Sequence, residues 1–311
     1  MKSTNPMKNI SIVILVFCLS LPASSFSQDS LNYKSLRKKN IYNTIPVIGA
    51  FALTYTSGFV YANNNYYPDS NRVPFYFTND NSGFLQVDKF QHAFGSYVES
   101  YLGYRYLRYN GVNKNTALIF GGTLGFFVQT PKEIIDGYYE GAGFSWGDAL
   151  GNLAGSFFMI GQELLFNEQV IRYKFSFWRS PYADQANGLL GRNYFHSYSL
   201  DYNGHTYWFS LNANRFLLKT KLPDWVSISL GYSANGMFGP FNNLDSYNGV
   251  PIPETERYRQ YLISLDIDWP KIKTNSKFLK FIFNGLVFIK IPFPAIELNS
   301  KGQIKGYLLY F

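Results

Sequence analysis

The sequence holds a single cysteine, Cys18, in 311 residues, and only 15% of its residues are charged. A chain so poor in thiols builds no disulfide framework, no thiolate metal site and no cysteine nucleophile. It also lacks a dense Lys/Arg block, and its formal charge of +8 includes Lys2 and Lys8 at the extreme N-terminus. Nucleic acid is therefore not the expected partner, and mild basicity suits solubility or an anionic envelope surface. P-loop, GxGxxG and HExxH patterns are absent. The apolar runs are only marginally long for crossing a bilayer. With 46% hydrophobic residues, neither a disordered tail nor a coiled coil fits. Aromatics are what the chain has in excess: Phe 29, Tyr 26 and Trp 5, or 19%. Tyr nearly as common as Phe suits membrane-interface belts as well as cores.

Lys2 and Lys8 precede an apolar run from Ile10 to Leu21, followed by Pro22 and Ala23-Ser-Ser-Phe-Ser27. That order defines a secretory signal peptide over residues 1–27, with cleavage expected after Ser27 and export to the cell envelope. Cys18 lies inside the apolar run. Phe17 stands where a lipobox requires a small residue, so lipid attachment there is not expected.

After a linker (28–40), two periodicities divide the chain. Residues 41–168 read as helical. Helices are expected over Ile41–Tyr67, from Leu85 to Tyr109, from Asn113 through Thr116–Pro131, and from Ser145 to Phe166. Gly121/Gly125 and Gly147/Gly151/Gly155 recur every four residues, which lets helix backbones approach closely in a membrane bundle or a soluble one. Residues 169–311 shift to period two. The run from Trp225 and the run Tyr261–Trp269 alternate as half-buried strands. Asn203-Gly204 signals a type I′ hairpin, with His196 and His205 as surface residues flanking it. Asn299–Gly302 should turn a last hairpin. Ser276–Lys290 fits a short amphipathic helix or a strand. The ending Gly306-Tyr-Leu-Leu-Tyr-Phe311 resembles the closing strand of an outer-membrane barrel, a reading tested by whether that strand pairs with one near Arg172.

A polar constellation interrupts the apolar helices. Asp88, Lys89 and His92 open the second helix, with Ser96 and Glu99 continuing near that face; Glu133 and Asp136 stand one turn apart; Ser145, Asp148 and Asn152 align on the last helix. An imidazole and four carboxylates among apolar helices are costly to bury singly, so convergence is expected. Local capping boxes also account for two of them, with Thr130 and Ser145 as N-caps, Pro131 at the first helical position, and Glu133 and Asp148 as third-position acids. A bound metal, if any, would be Mg, Ca or Mn rather than zinc, given one His with several carboxylates. Gly143-Phe-Ser145-Trp-Gly147 matches G-x-S-x-G, but no buried strand is expected before it, and a helix cap explains Ser145 better than a nucleophile does.

Asp88-Lys-x-x-His92, an acid-bearing segment ending at Asp136, and Gly143-Phe-Ser145-x-x-Asp148-x-x-x-Asn152-x-x-Gly155 together resemble the YfiM-like predicted periplasmic lipoproteins, a family without assigned function. More distantly they resemble the VanZ-like membrane proteins associated with glycopeptide resistance. The resemblance covers residues 85–161 and implies an envelope location and a compact helical unit. The expected fold is α+β: an N-terminal four-helix, membrane-associated bundle followed by an antiparallel β-sheet or small partial barrel with an aromatic, lipid-facing or interface-facing surface. The expected function is a structural or binding role at the outer membrane, engaging membrane lipid or envelope glycopolymer through Lys89, His92, Ser145, Asn152 and the acidic cluster. The rival is an envelope lipid or glycolipid hydrolase or transferase with His92 as general base and Glu133, Asp136 and Asp148 holding a divalent cation or polarising a water. Asp88 completes that cluster. No cofactor follows from the sequence.

Overall fold

A computed structural model describes residues 69–216 and 222–311, with helical residues 48–49, 52–53, 55–57 and 59–60. The leader, the linker and most of the Ile41–Tyr67 segment lie outside the described residues. In chain order the elements are β1 (Phe77–Thr78), α1 (Val87–Tyr109), α2 (Lys114–Phe120), α3 (Leu124–Asp136), β2 (Phe144–Ser145), α4 (Trp146–Phe166), β3 (Ile171–Phe177), α5 (Tyr194–Leu200), β4 (His205–Asn212), α6 (Ala213–Phe216), β5 (Val226–Asn235), β6 (Ser246–Tyr247), β7 (Val250–Pro251), β8 (Tyr258–Ile267), α7 (Lys277–Gly285), β9 (Phe293–Asn299) and β10 (Ile304–Tyr310). They fall into two compact units, Met1–Asn79 with Gly95–Gly161, and Asp80–Phe94 with Gln162–Phe311. The fold class is α+β with an antiparallel sheet, as expected. Among the described residues no helix is long and apolar enough to cross a membrane, so the expected four-helix membrane bundle is not supported. The expected Gly spacing serves close packing instead.

In the helical unit, a Cβ on Gly125 would lie 2.1 Å from the Ser96 carbonyl oxygen, and one on Gly121 would lie 2.5 Å from the Gly103 backbone. Glycine at these two places is what lets α2 and α3 touch the α1 backbone. Hydroxyls then satisfy the helix end that this approach buries. Gly125 N donates to Ser100 Oγ (3.1 Å) and Phe126 N donates to Ser156 Oγ (3.0 Å), so α1 and α4 supply acceptors for two of the open N–H groups at the start of α3. Ser156 is itself joined to Ser96 (2.9 Å) and Ser100 (2.8 Å). Tyr97, Leu102 and Met159 are buried around this seam.

The expected third helix is two, α2 and α3, separated at 121–123. Thr130 is not an N-cap and Pro131 is not a first-turn residue, because α3 already starts at Leu124 and Pro131 lies inside it. Thr130 instead turns its hydroxyl back to the Phe126 carbonyl oxygen, 2.6 Å away, the helix-interior habit of threonine.

In the second unit the sheet runs β10-β9-β8-β5-β4-β3, every neighbouring pair antiparallel. A flat sheet would hold β4 and β10 ~19 Å apart, four strand spacings. Yet Thr206 Oγ1 lies 3.3 Å from Tyr310 Oη, and the Trp208 and Tyr310 rings are 5.9 Å apart. The sheet is therefore strongly curled, and the face carrying Thr206, Trp208 and Tyr310 is concave. β10 pairs with β9 alone and β3 with β4 alone among the named strands, so the last strand does not close on the one at Arg172. The expected hairpin at 299–302 is present, with Gly302 at φ 75. Ser276–Lys290 resolves as a helix, capped by Ser276 Oγ accepting from Leu279 N.

Asn203-Gly204 makes no hairpin: it lies in a 3-10 turn between α5 and β4. Asn203 is committed elsewhere, its amide accepting from Met237 N and donating to the Met237 carbonyl. The Asn-Gly turn that does join two strands is Asn248-Gly249, both at positive φ (51 and 76), between β6 and β7, as a type I′ turn requires. His205 is buried and its ring Nε2 donates to the Tyr198 carbonyl oxygen, 2.9 Å; burial pushes its pKa down to about 4. His196 lies in α5, half-buried. Neither is a surface hairpin residue.

Candidate functional site

The alternating strands put different side chains on the two faces of the sheet, and over much of it the charged and polar set is the buried one. On the concave face, pairing register aligns Lys174 with Trp208 and Gly231, and Ser210 with Ser229 and Ser264. Lys174 and Ser229 are fully buried, as is Asp266 nearby on β8. Lys174 Nζ pairs with Asp266 Oδ2 at 2.8 Å and also donates to the Ile267 carbonyl oxygen, while Ser229 Oγ donates to the same carboxylate. Arg172 meets Asp268, also buried. Farther along, Glu297 accepts from Gln260 Nε2, Asn299 Nδ2 and Tyr307 Oη at 2.6–2.9 Å. The buried Lys174–Asp266 and Arg172–Asp268 charges are tolerable because they are paired, and Glu297 because three neutral donors hydrogen-bond to it. Gly231 is where Trp208 lies flat on the sheet: a Cβ there would be 2.6 Å from the indole.

The convex face carries the apolar set. At β3–β5 it is covered by the first turns of α1, where Phe90 stacks on Tyr232 (4.6 Å) and Phe94 meets Tyr173 edge-on (5.4 Å). Beyond that cover, Leu230, Tyr261, Ile263, Leu265, Ile296 and Leu298 are each about half exposed, and Leu308 is 89% exposed. Ile228, Ile263, Pro294, Ile296 and Leu308 line a shallow apolar groove of about 510 Å³ on this surface.

The residues singled out by sequence are divided between the units. Asp88, Lys89 and His92 belong to the sheet-bearing unit, and Glu133, Asp136, Ser145, Asp148 and Asn152 to the helical one. Before α1, Phe84, Leu85 and Gln86 all adopt left-handed backbone (φ 45, 50 and 70), a conformation costing roughly 1–2 kcal/mol per L-residue. It is held by Phe84 stacking on Tyr202 at 4.0 Å, by the Tyr232 hydroxyl donating to the Leu85 carbonyl, and by Arg259 donating to Gln86 Oε1 at 2.7 Å. This turn presents the start of α1, where Lys89 Nζ bridges Asp80 (2.7 Å) and Asp88 (3.0 Å). Asp80 and Asp88 are thus hard-oxygen donors already engaged by an ammonium group. His92 follows one turn later, half-buried.

In the helical unit Lys132 Nζ plays the same part, 3.2 Å from Glu133 and 2.5 Å from Asp136. Ser145 Oγ accepts from Asp148 N at 3.0 Å, so the capping role expected for it holds. Residues 138–143 before it form no strand, as expected; β2 consists of Phe144 and Ser145 alone, paired in parallel with β1. With its hydroxyl buried and capping a helix, Ser145 is no exposed nucleophile. The Asn152 carbonyl accepts from Ser96 Oγ.

A carboxylate strongly altered by its surroundings is Glu99, outside the chosen set. It is buried on α1, accepts from Gln129 Nε2 at 3.1 Å, and is pushed up to about 8 by burial, an effect that the Gln129 hydrogen bond only partly offsets. Gln129 fits because residue 95 is glycine; a Cβ there would lie 2.3 Å from its amide nitrogen. The only sequence signal for Glu99 was its place two turns after His92 on one helix face.

Unit by unit, this is an α+β protein with a hydroxyl-laced helical unit and a curled sheet that is polar within and apolar without. Residues 76–162 match the model of the family described as predicted periplasmic lipoprotein (DUF2279), a match well under half the chain. The match agrees with the leader and with export to the periplasm or cell envelope. No curated protein and no solved structure matches the chain.

Proposed function

We propose that this protein is a non-enzymatic structural or lipid-binding component of the outer membrane, and that residues 85–161 are of the YfiM-like kind, with VanZ-like proteins as remoter kin. The observation that carries the membrane assignment is the polarity of the sheet. Its paired charges are buried on the concave side while aliphatic side chains stand in the open on the convex side, an arrangement suited to a surface facing hydrocarbon rather than water. Burying the exposed half of a Leu or Ile stabilises by about 1 kcal/mol, so this patch supplies several kcal/mol for seating against a leaflet. The two strand edges, β3 and β10, keep their backbone groups hydrated if the face lies at the interface rather than across the bilayer. Protein lipidation is not part of this reading, because Phe17 precedes Cys18.

The test is vesicle flotation of the mature protein and of the double variant Ile263→Asp/Leu298→Asp. Both side chains point outward, so the variant should fold with an unchanged far-UV spectrum and lose vesicle association at least tenfold. Wild-type protein that stays at the bottom of the gradient, or a variant that floats equally well, would defeat the proposal.

A further inference from the structure

We propose that the loop cavity following β3 binds a phosphate group, presented by an anionic lipid headgroup. The proposal deepens the membrane reading above and rests on it for the source of the phosphate, not for the site.

The cavity, about 490 Å³, is walled by Arg179, Asp184, Asn187, Gly188, Arg192 and Asn248. Asn187, Gly188 and Gly191 have φ of 45, 86 and 93, and Asn248 supplies the tip of the β6–β7 turn at φ 51. These left-handed positions bend two loops into one concave wall. Two guanidinium groups enter it. Arg179 is fixed in place: its Nε donates to Ser197 Oγ at 2.9 Å and its Nη1 to Asp184 Oδ1. Its Nη2 reaches the Gly191 carbonyl only at 3.5 Å, which leaves that donor weakly used. Arg192 is exposed, and its stem lies over Gly188, where a Cβ would come within 3.1 Å of Arg192 Cγ. Among the described residues it makes no ion pair. With one carboxylate, Asp184, against two guanidinium groups, the cavity carries a net positive charge. Planar N–H forks of this kind match the oxygen edges of phosphate.

The setting points to a headgroup. Each arginine is flanked in sequence by exposed rings: Trp178 precedes Arg179, and Tyr194 and Phe195 follow Arg192, Phe195 being 86% exposed. Trp178 and Tyr194 lie 6.3 Å apart, and Tyr194 packs edge-on against Phe177 of β3 at 5.2 Å. Amphipathic and apolar rings beside arginines are the composition of a headgroup-level belt.

Binding is measured by calorimetry against inorganic phosphate and by sedimentation with vesicles of phosphatidylcholine alone or with added phosphatidic acid. The wild-type protein is expected to bind phosphatidic acid vesicles at least tenfold more tightly than neutral ones. Arg192→Ala should abolish that difference while keeping the association with neutral vesicles, and Asp184→Asn, which frees Arg179, should strengthen phosphate binding severalfold. Lys273→Ala, an exposed cation elsewhere on this unit, should change nothing. Inorganic phosphate binding that responds to both variants, without a preference for phosphatidic acid, keeps the site but overturns the headgroup as its source. Equal effects of Arg192→Ala and Lys273→Ala, or weaker binding by Asp184→Asn, overturn the site. Loss of neutral-vesicle association in Ile263→Asp/Leu298→Asp bears only on the apolar face, so the two readings fail separately.

Discussion

Glu99 shows how a single buried carboxyl records its environment. Burial pushes its pKa up to about 8 in the folded protein, whereas the unfolded chain releases the proton near the ordinary carboxyl value of 4.5. Between those values the folded state binds the extra proton, so stability falls as pH rises through this window and is regained on acidification, at about 1.4 kcal/mol per pH unit at most. Glu99→Gln removes the titration. Its melting temperature should exceed that of the wild type at pH 8.5, with the gap closing toward pH 4.5; a gap independent of pH would show that Glu99 does not carry the proton. Sequence spacing placed Glu99 on the right helix face but could not reveal its burial, which comes from Gln129 packing over Gly95. For Ser145 the local code sufficed, because a cap is made by residues three apart. It failed at Thr130, where helix α3 had already begun six residues earlier under the control of Ser100 and Ser156, distant in sequence.

At the scale of elements, α4 was legible because an apolar helix pattern over about twenty residues is hard to mistake, and α1 was placed by its Asp88/His92 spacing on one helix face. The break between α2 and α3 was not, since it depends on how closely Gly121 approaches Gly103. Period two identified β5 and β8 correctly, yet alternation alone says only that two faces differ. Which face is buried depends on the curl of the sheet and on partners such as Lys174 and Asp266, contributed by strands far apart in sequence. The same limit explains the two Asn-Gly pairs: Asn248 lies between strands free to pair, whereas Asn203 is recruited by the backbone of Met237. The Lys174–Asp266 pair provides a test of the concave face. Lys174→Met leaves a buried carboxylate without its cation and should cost about 3–5 kcal/mol in urea unfolding, while Lys174→Met/Asp266→Leu should recover most of that loss. Equal destabilisation by the single and double variants would mean that the pair is not the element holding β3 and β8 in place.

For the whole molecule, the leader indicated an exported envelope protein and the excess of aromatics suited a membrane interface, and the family match over residues 76–162 agrees with export. The expectation had two routes to the membrane, apolar helices and a lipid-facing surface of the β domain, and the proposed function keeps only the second. Glycine-spaced helices fit a tight bundle as well as a membrane, and none of the described ones is apolar enough to span. The sheet has the complementary property, with charge inside and aliphatic side chains outside. Cys18 is the only cysteine, which makes spin labelling of the mature chain direct. Single cysteines at Ile263, Leu298 and Leu308 would carry nitroxides, and their accessibility to oxygen and to a water-soluble nickel chelate would be compared with vesicles present. The account predicts that all three become oxygen-accessible and nickel-protected on addition of vesicles. Nickel accessibility unchanged by vesicles at all three would contradict it.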